Sequence, residues 1–195
     1  MTTERVPVAI VGAGPAGLLL SHLLAESGIE SVVIDSRERT EIEQTIRAGI
    51  LEQGTVELLD TIPGSRARTV GHRHDGVEFR FAGEGHRIDF PGLVGRSVWL
   101  YPQHEVLKDL IAARLAAGQD LRFGATAERV EGADTNTPRV VGRHADGSPF
   151  EIVADGWLAR IFQQYLNRVP SQYYLGLRLN KARQLLMQTS KSIIQ

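Results

Sequence analysis

The sequence predicts an α/β fold that opens on a parallel βαβ unit, and three observations predict it. Val8-Ala9-Ile10-Val11 is a short, continuously apolar run closed by glycine, which suits a buried parallel strand better than a helix. From Pro15 to Ser27, apolar residues recur at Leu18, Leu19, Leu20, Leu23 and Leu24, with Gly28 as the stop, as in a helix packed on a sheet. Ser31-Val32-Val33-Ile34 then supplies a second apolar strand.

The remaining elements follow in order. A helical pattern spans roughly Ile50 to Leu59 and stops before the Pro63-Gly64 turn signal. Val77, Phe79 and Phe81 alternate, as do Ile88 and Phe90, around Gly83-Glu84-Gly85, which predicts a hairpin. Val98-Trp99-Leu100-Tyr101 reads as a strand, and His104 to Ala117 as a helix through Val106, Leu107, Leu110, Ile111 and Leu115. Short strands are expected near Leu121–Phe123, Ala127–Val130, Arg139–Arg143 and Phe150–Val153. From Trp157 the pattern becomes helical. Trp157, Leu158, Ile161, Phe162, Tyr165 and Leu166 share one face, Asn167 to Pro170 breaks it, and a second amphipathic helix runs from Ser171 to about Thr189. The fold expected is thus a Rossmann-like βαβ domain with a hairpin and meander insert, followed by an all-α segment.

At 195 residues the chain can bury a real core, and its formal net charge is −1. That balance conceals two segments of opposite sign. Residues 157–195 carry Arg160, Arg168, Arg178, Lys181, Arg183 and Lys191 and no acid, a formal +6. In residues 1–156 the 16 remaining basic residues face 23 acidic ones, a formal −7. Two domains are therefore expected, 1–156 and 157–195. With no cysteine, disulfides, thiolate metal sites and cysteine nucleophiles are excluded. No apolar run approaches the roughly 18 residues of a membrane span, and Met1 to Arg5 lacks the apolar core of a signal peptide, so a cytoplasmic protein without a membrane role is expected.

Gly12-Ala13-Gly14-Pro15-Ala16-Gly17 is G-x-G-x-x-G set between strand and helix. The first glycine serves a tight turn, the second lets a diphosphate approach the backbone, and the third lets helix and strand pack closely. Unpaired N–H groups at the helix start, with the helix dipole behind them, favour phosphate. Asp35, 18 residues after Gly17 at the end of the second strand, is placed to accept from ribose hydroxyls. A glycine-rich turn alone could merely close a corner. Strand, helix and acidic residue together point to a dinucleotide. His72-Arg73-His74-Asp75 gathers two imidazoles and a carboxylate, but without further ligands it reads as a polar loop rather than a metal site.

The glycine turn continued by Leu18-Leu19-Leu20, together with Ile46-Arg47-Ala48-Gly49-Ile50-Leu51-Glu52-Gln53-Gly54, resembles the class A FAD-dependent aromatic hydroxylases of the 4-hydroxybenzoate 3-monooxygenase type. The likeness continues through Gly76-Val77-Glu78-Phe79, Phe81-Ala82-Gly83, Arg87-Ile88-Asp89 and Gln103-His104-Glu105-Val106 to about Asp155. It implies FAD as cofactor, with Asp35 on the ribose, Arg47 near the pyrophosphate and Gln103 also in contact. It further implies NADPH as co-substrate and hydroxylation of a phenolic acid, although Thr45 stands where the family usually has another basic residue. The family's substrate sheet and its later flavin-binding motif lie beyond the point where this likeness stops, so an incomplete domain is expected and no catalytic residue is named.

Leu158 to Leu166, Pro170 to Leu179 and Ala182 to Leu186 resemble part of the DNA-binding domain of AraC-type transcription regulators. That resemblance implies Arg160 at base edges and Gln163, Gln164 and Arg168 near phosphates. Both supporting helices of such a reader are missing. Nonspecific attraction to DNA, or packing of apolar helix faces on this chain or a second copy, is expected before sequence-specific reading. The two likenesses meeting near Asp155-Gly156 suggest a fusion of fragments. The leading expectation is the FAD-binding portion of a hydroxylase. The rival is a DNA-binding regulator whose flavin-type domain serves as sensor or passenger.

Overall fold

Strand β1 (Thr2–Val11) runs through the interior of a six-stranded sheet because its apolar residues face cores on both sides. The computed structural model describes residues 2–133 and 135–156. Helix α1 (Pro15–Glu26) follows, with Pro15 in its first turn and Gly28 at φ +72° just beyond its end. Strand β2 (Ser31–Ile34) then pairs parallel with β1, Ala9 opposite Val32 and Val11 opposite Ile34. The predicted βαβ unit is therefore present.

After β2 comes helix α2 (Arg39–Gln44), which the hydrophobic pattern does not announce because Ile42 is its single buried residue. It rests on local devices instead. Glu38 and Glu41 form a reciprocal capping box, and Arg39 pairs with Glu43 one turn on. The helix expected over Ile50–Leu59 is corrected at its start. Ile50–Glu52 is strand β3, and helix α3 occupies only Gln53–Leu59. Tertiary pairing overrides the local period, since Ile50 to Glu52 find antiparallel partners in Leu100 to Val98.

His72–His74, expected as loop, is strand β4, another partner of the same apolar strand; Arg73 lies opposite Trp99 with its guanidinium 5.9 Å from the indole. The hairpin is β5 (Gly76–Phe81) with β6 (Glu84–Asp89), turning at Ala82-Gly83. Phe90 does not continue the alternation. It opens the short helix α4 (Phe90–Val94), capped by Asp89, whose carboxylate accepts from the Gly92 N–H at 3.1 Å. Strand β7 (Val98–Leu100) joins β3 and β4 into a three-stranded sheet.

Helix α5 (Gln103–Ala116) packs beside α1, and its Val106, Leu107, Leu110 and Ile111 share a core with Leu18, Leu24, Val8 and Ile10. Strands β8 (Leu121–Arg122), β9 (Thr126–Glu131), β10 (Arg139–Arg143) and β11 (Pro149–Gly156) complete the main sheet in the order β8-β2-β1-β11-β10-β9. β8, β2, β1 and β11 are parallel; β11, β10 and β9 form an antiparallel meander. Val33 joins the helix-side core while Val32 and Ile34 join a second core with Val140, Phe150 and Ile152. The two-residue period of β2 thus covers both sheet faces. The helical segment expected over 157–195 lies outside the described residues. No described helix is long and apolar enough to cross a membrane.

Candidate functional site

The glycine turn leaves β1 at the carboxyl ends of β1 and β2, where open α/β sheets place their ligands. Its three glycines answer three different demands. Gly12 sits at φ +109°, a conformation side chains rarely adopt. At Gly17 a Cβ would lie 2.2 Å from the Gly12 carbonyl oxygen and 3.2 Å from Ile10, so this glycine exists for strand-to-helix packing. Gly14 differs from both. Its φ of −79° is open to any residue, and a Cβ there would meet nothing within 4 Å. Nothing among the described residues requires glycine at that position, and the space they leave beside it is open.

The amides of the turn divide in two. The Gly12 N–H donates to the Ile34 carbonyl at 2.8 Å, and the Ala13 N–H donates to Asp35 Oδ2 at 2.8 Å. Among the described residues, those of Gly14, Ala16 and Gly17 meet no backbone carbonyl, and no side chain caps the helix start. Three N–H groups therefore remain at the positive end of α1, a fitting cradle for a diphosphate. Just before the helix start, the Ala13 N–H is taken by the very carboxylate expected on the ribose.

Asp35 is 5% exposed and turned toward the glycine turn. Burial raises its pKa, but the Arg37 side chain, the Arg37 and Ala13 backbone N–H groups and the Arg37 charge outweigh that and hold the carboxyl below its ordinary value. Arg37 Nε donates to Oδ1 at 2.9 Å and Nη2 to Oδ2 at 2.8 Å, a bidentate pair. Sequence reading overlooked Arg37. Its spacing, two residues beyond the acid on a chain turning out of a strand, was the only available signal.

Pro15 and Ala16 line a crevice of about 270 Å³ with Ala48, Gly49, Ile50, Leu51, Thr55 and Gln103. The fold thus unites Gln103, at the start of α5, with the glycine turn 87 positions earlier and with the segment just after Arg47. Arg47 itself is exposed and does not line the crevice. Thr55, the hydroxyl in this wall, was not singled out from the sequence. His72 and His74 lie on β4, and among the described residues no three metal-type ligands converge. Arg160, Gln163, Gln164 and Arg168 lie outside the described residues.

Parallel strands β1 and β2 joined through a glycine turn, with unpaired helix-start amides and an acid at the neighbouring strand end, define a dinucleotide-binding α/β domain. More particularly, the chain belongs to the FAD binding domain family, which matches residues 5–159, and its cofactor is FAD. It is 43% identical over 120 residues to p-hydroxybenzoate hydroxylase of Acinetobacter baylyi, covering 60% of this chain and 30% of that protein. Among solved structures, the flavin-dependent monooxygenase PieE in complex with FAD and substrate aligns with a TM-score of 0.64 at 25% identity, covering 82% of this chain and 32% of that one. A separate likeness, 87% identity over 38 residues, is to the HTH-type transcriptional regulator ArgR of Pseudomonas aeruginosa, covering 20% of this chain and 12% of that protein. The chain therefore spans less than a third of the curated relatives it matches.

Proposed function

We propose that residues 1–156 form the FAD-holding portion of an aromatic monooxygenase, with residues 157–195 a separate regulator-like segment. The observation that carries this reading is Gly14, a glycine that neither its own backbone nor any described neighbour requires, at a turn where three amides have no partner among the described residues. A diphosphate laid along the turn would use that open space.

In this reading Gly12, Gly14, Pro15, Ala16 and Gly17 form the diphosphate cradle, Asp35 binds the adenosine ribose, Arg47 adds positive charge toward the pyrophosphate, and Gln103 holds the cofactor from the facing helix. When bound, the flavin supplies the redox chemistry with oxygen that hydroxylation of a phenolic acid requires, with NADPH as the reductant. This chain's own residues bind and orient the cofactor and surround the crevice with apolar walls. The hydroxylase likenesses favour this over a regulator with a flavin-type passenger. The basic segment adds at most nonspecific attraction to nucleic acid phosphate.

Comparing Gly14→Ala with Gly17→Ala tests the reading by titrating FAD into the full chain and following flavin fluorescence. Gly14→Ala should fold like the parent and lose at least about tenfold in FAD affinity. Gly17→Ala should lose stability, about 1–3 kcal/mol by overpacking. Equal FAD affinity in the parent and Gly14→Ala, or no FAD binding by the folded parent, overturns the reading.

A further inference from the structure

The carboxylate expected on the ribose has no acceptor site to spare. An ionised carboxylate offers about four lone-pair sites, and four donors occupy those of Asp35. Oδ1 accepts from the Arg37 backbone N–H at 3.0 Å and from Arg37 Nε at 2.9 Å. Oδ2 accepts from the Ala13 N–H at 2.8 Å and from Arg37 Nη2 at 2.8 Å. Ribose hydroxyls that bind an acid do so as donors, so they must displace something.

The four donors are not equally fixed. The Ala13 and Arg37 amides are held by the backbone, since Gly12 is tied to Ile34 and the Arg37 carbonyl accepts from the Gly124 N–H at 3.2 Å. The guanidinium is on a rotatable stem whose side chain is 39% exposed. Its departure frees one lone pair on each oxygen, the pattern that two neighbouring hydroxyls need. Arg39 and Arg122 are already paired with Glu43 and with Glu4 and Asp120, so neither stands free to take over Arg37's place on Asp35.

We propose that Arg37 is an affinity-setting residue of the cofactor site, its guanidinium competing with the adenosine ribose of FAD for Asp35. The proposal rests on the assignment of the glycine turn and Asp35 to FAD. It makes the ribose the part of the ligand whose binding Arg37 resists, while the diphosphate on the α1 amides is indifferent to it.

Calorimetric titration of the full chain with FAD, ADP and inorganic pyrophosphate tests this in the parent, Arg37→Met and Arg37→Lys. Arg37→Met keeps much of the stem without the donors and should bind FAD and ADP about threefold or more tightly than the parent, with pyrophosphate affinity unchanged. Arg37→Lys, which cannot donate to both oxygens in one plane, should fall between the two. FAD or ADP affinity that is unchanged or weaker in Arg37→Met overturns the proposal; weaker binding would mean that the guanidinium holds the ligand instead of resisting it. Tighter pyrophosphate binding in Arg37→Met also overturns it, because the effect would then be on phosphate rather than sugar. If neither parent nor variants bind FAD or ADP while their unfolding midpoints stay normal, the assignment of the glycine turn and Asp35 to FAD falls as well. If the parent binds and Arg37→Met merely matches it, only the role of Arg37 falls. Matching circular dichroism of all three proteins separates these outcomes from misfolding.

Discussion

Two buried aspartates, each paired with an arginine, show how similar chemistry serves different ends in this molecule. Asp109, 6% exposed on α5, accepts from the Arg66 backbone N–H at 2.9 Å, from Arg66 Nε at 2.7 Å and from the Tyr101 hydroxyl at 2.7 Å. Arg66 also reaches Glu105 at 2.8 Å, so the network ties the loop after α3 and the end of β7 to one helix face. Burial raises the Tyr101 pKa, and the hydrogen bond to Asp109 adds to that, so the phenol stays protonated as donor. Asp35, 5% exposed, is bound by an arginine only two positions away and by one amide of the glycine turn. The first network joins elements distant in sequence and is closed. The second is local and lies beside the glycine turn, one of whose amides it holds. Burial does not distinguish the two pairs; what does is how far along the chain each one reaches.

Three substitutions put that contrast to the test. Asp109→Ala leaves Arg66 and Tyr101 without their shared acceptor and should cost about 3 kcal/mol by urea unfolding, the lower end for a broken buried pair because Arg66 is half-exposed. A cost as small as that at Asp35 would erase the distinction. Asp35→Asn should cost about 1.5 kcal/mol near neutral pH, roughly one charge-assisted hydrogen bond. Because the native Asp35 pKa lies below its unfolded value, its stabilisation is present above the ordinary carboxylate pKa and is lost as pH falls through the native one. The stability gap between parent and Asp35→Asn should accordingly close on acidification. A gap that widens at low pH would contradict the bonding described. Tyr101→Phe should have the smallest effect, about 1 kcal/mol by thermal unfolding, since Asp109 keeps its Arg66 donors.

The parts of the fold legible in sequence were those whose cause is local. Apolar runs announced β1 and β2, helical spacing announced α1 and α5, and alternation around Gly83 announced the β5–β6 hairpin. The parts that escaped depend on a partner far along the chain. Ile50 to Glu52 has helical spacing yet is a strand because β7 offers it hydrogen bonds, and His72 to His74 is a strand because the same β7 has a second edge. Helices α2 and α4 escaped for the opposite reason. Each has too little apolar face to create a period, and each stands on polar caps at Glu38 with Glu41 and at Asp89.

The glycine turn and the acid at the end of the second strand were readable from the residues alone, because spacing along a strand-turn-helix dictates where backbone N–H groups and one carboxylate must lie. Which of those groups are already taken by the protein depends on the folded arrangement. Close packing requires glycine at position 17 and leaves open space beside Gly14, and hydrogen-bond saturation commits Asp35 to Arg37 and to the Ala13 amide. A lone pair can be spoken for by any donor the fold brings within reach, and reach is a property of three-dimensional arrangement, which the order of residues does not display.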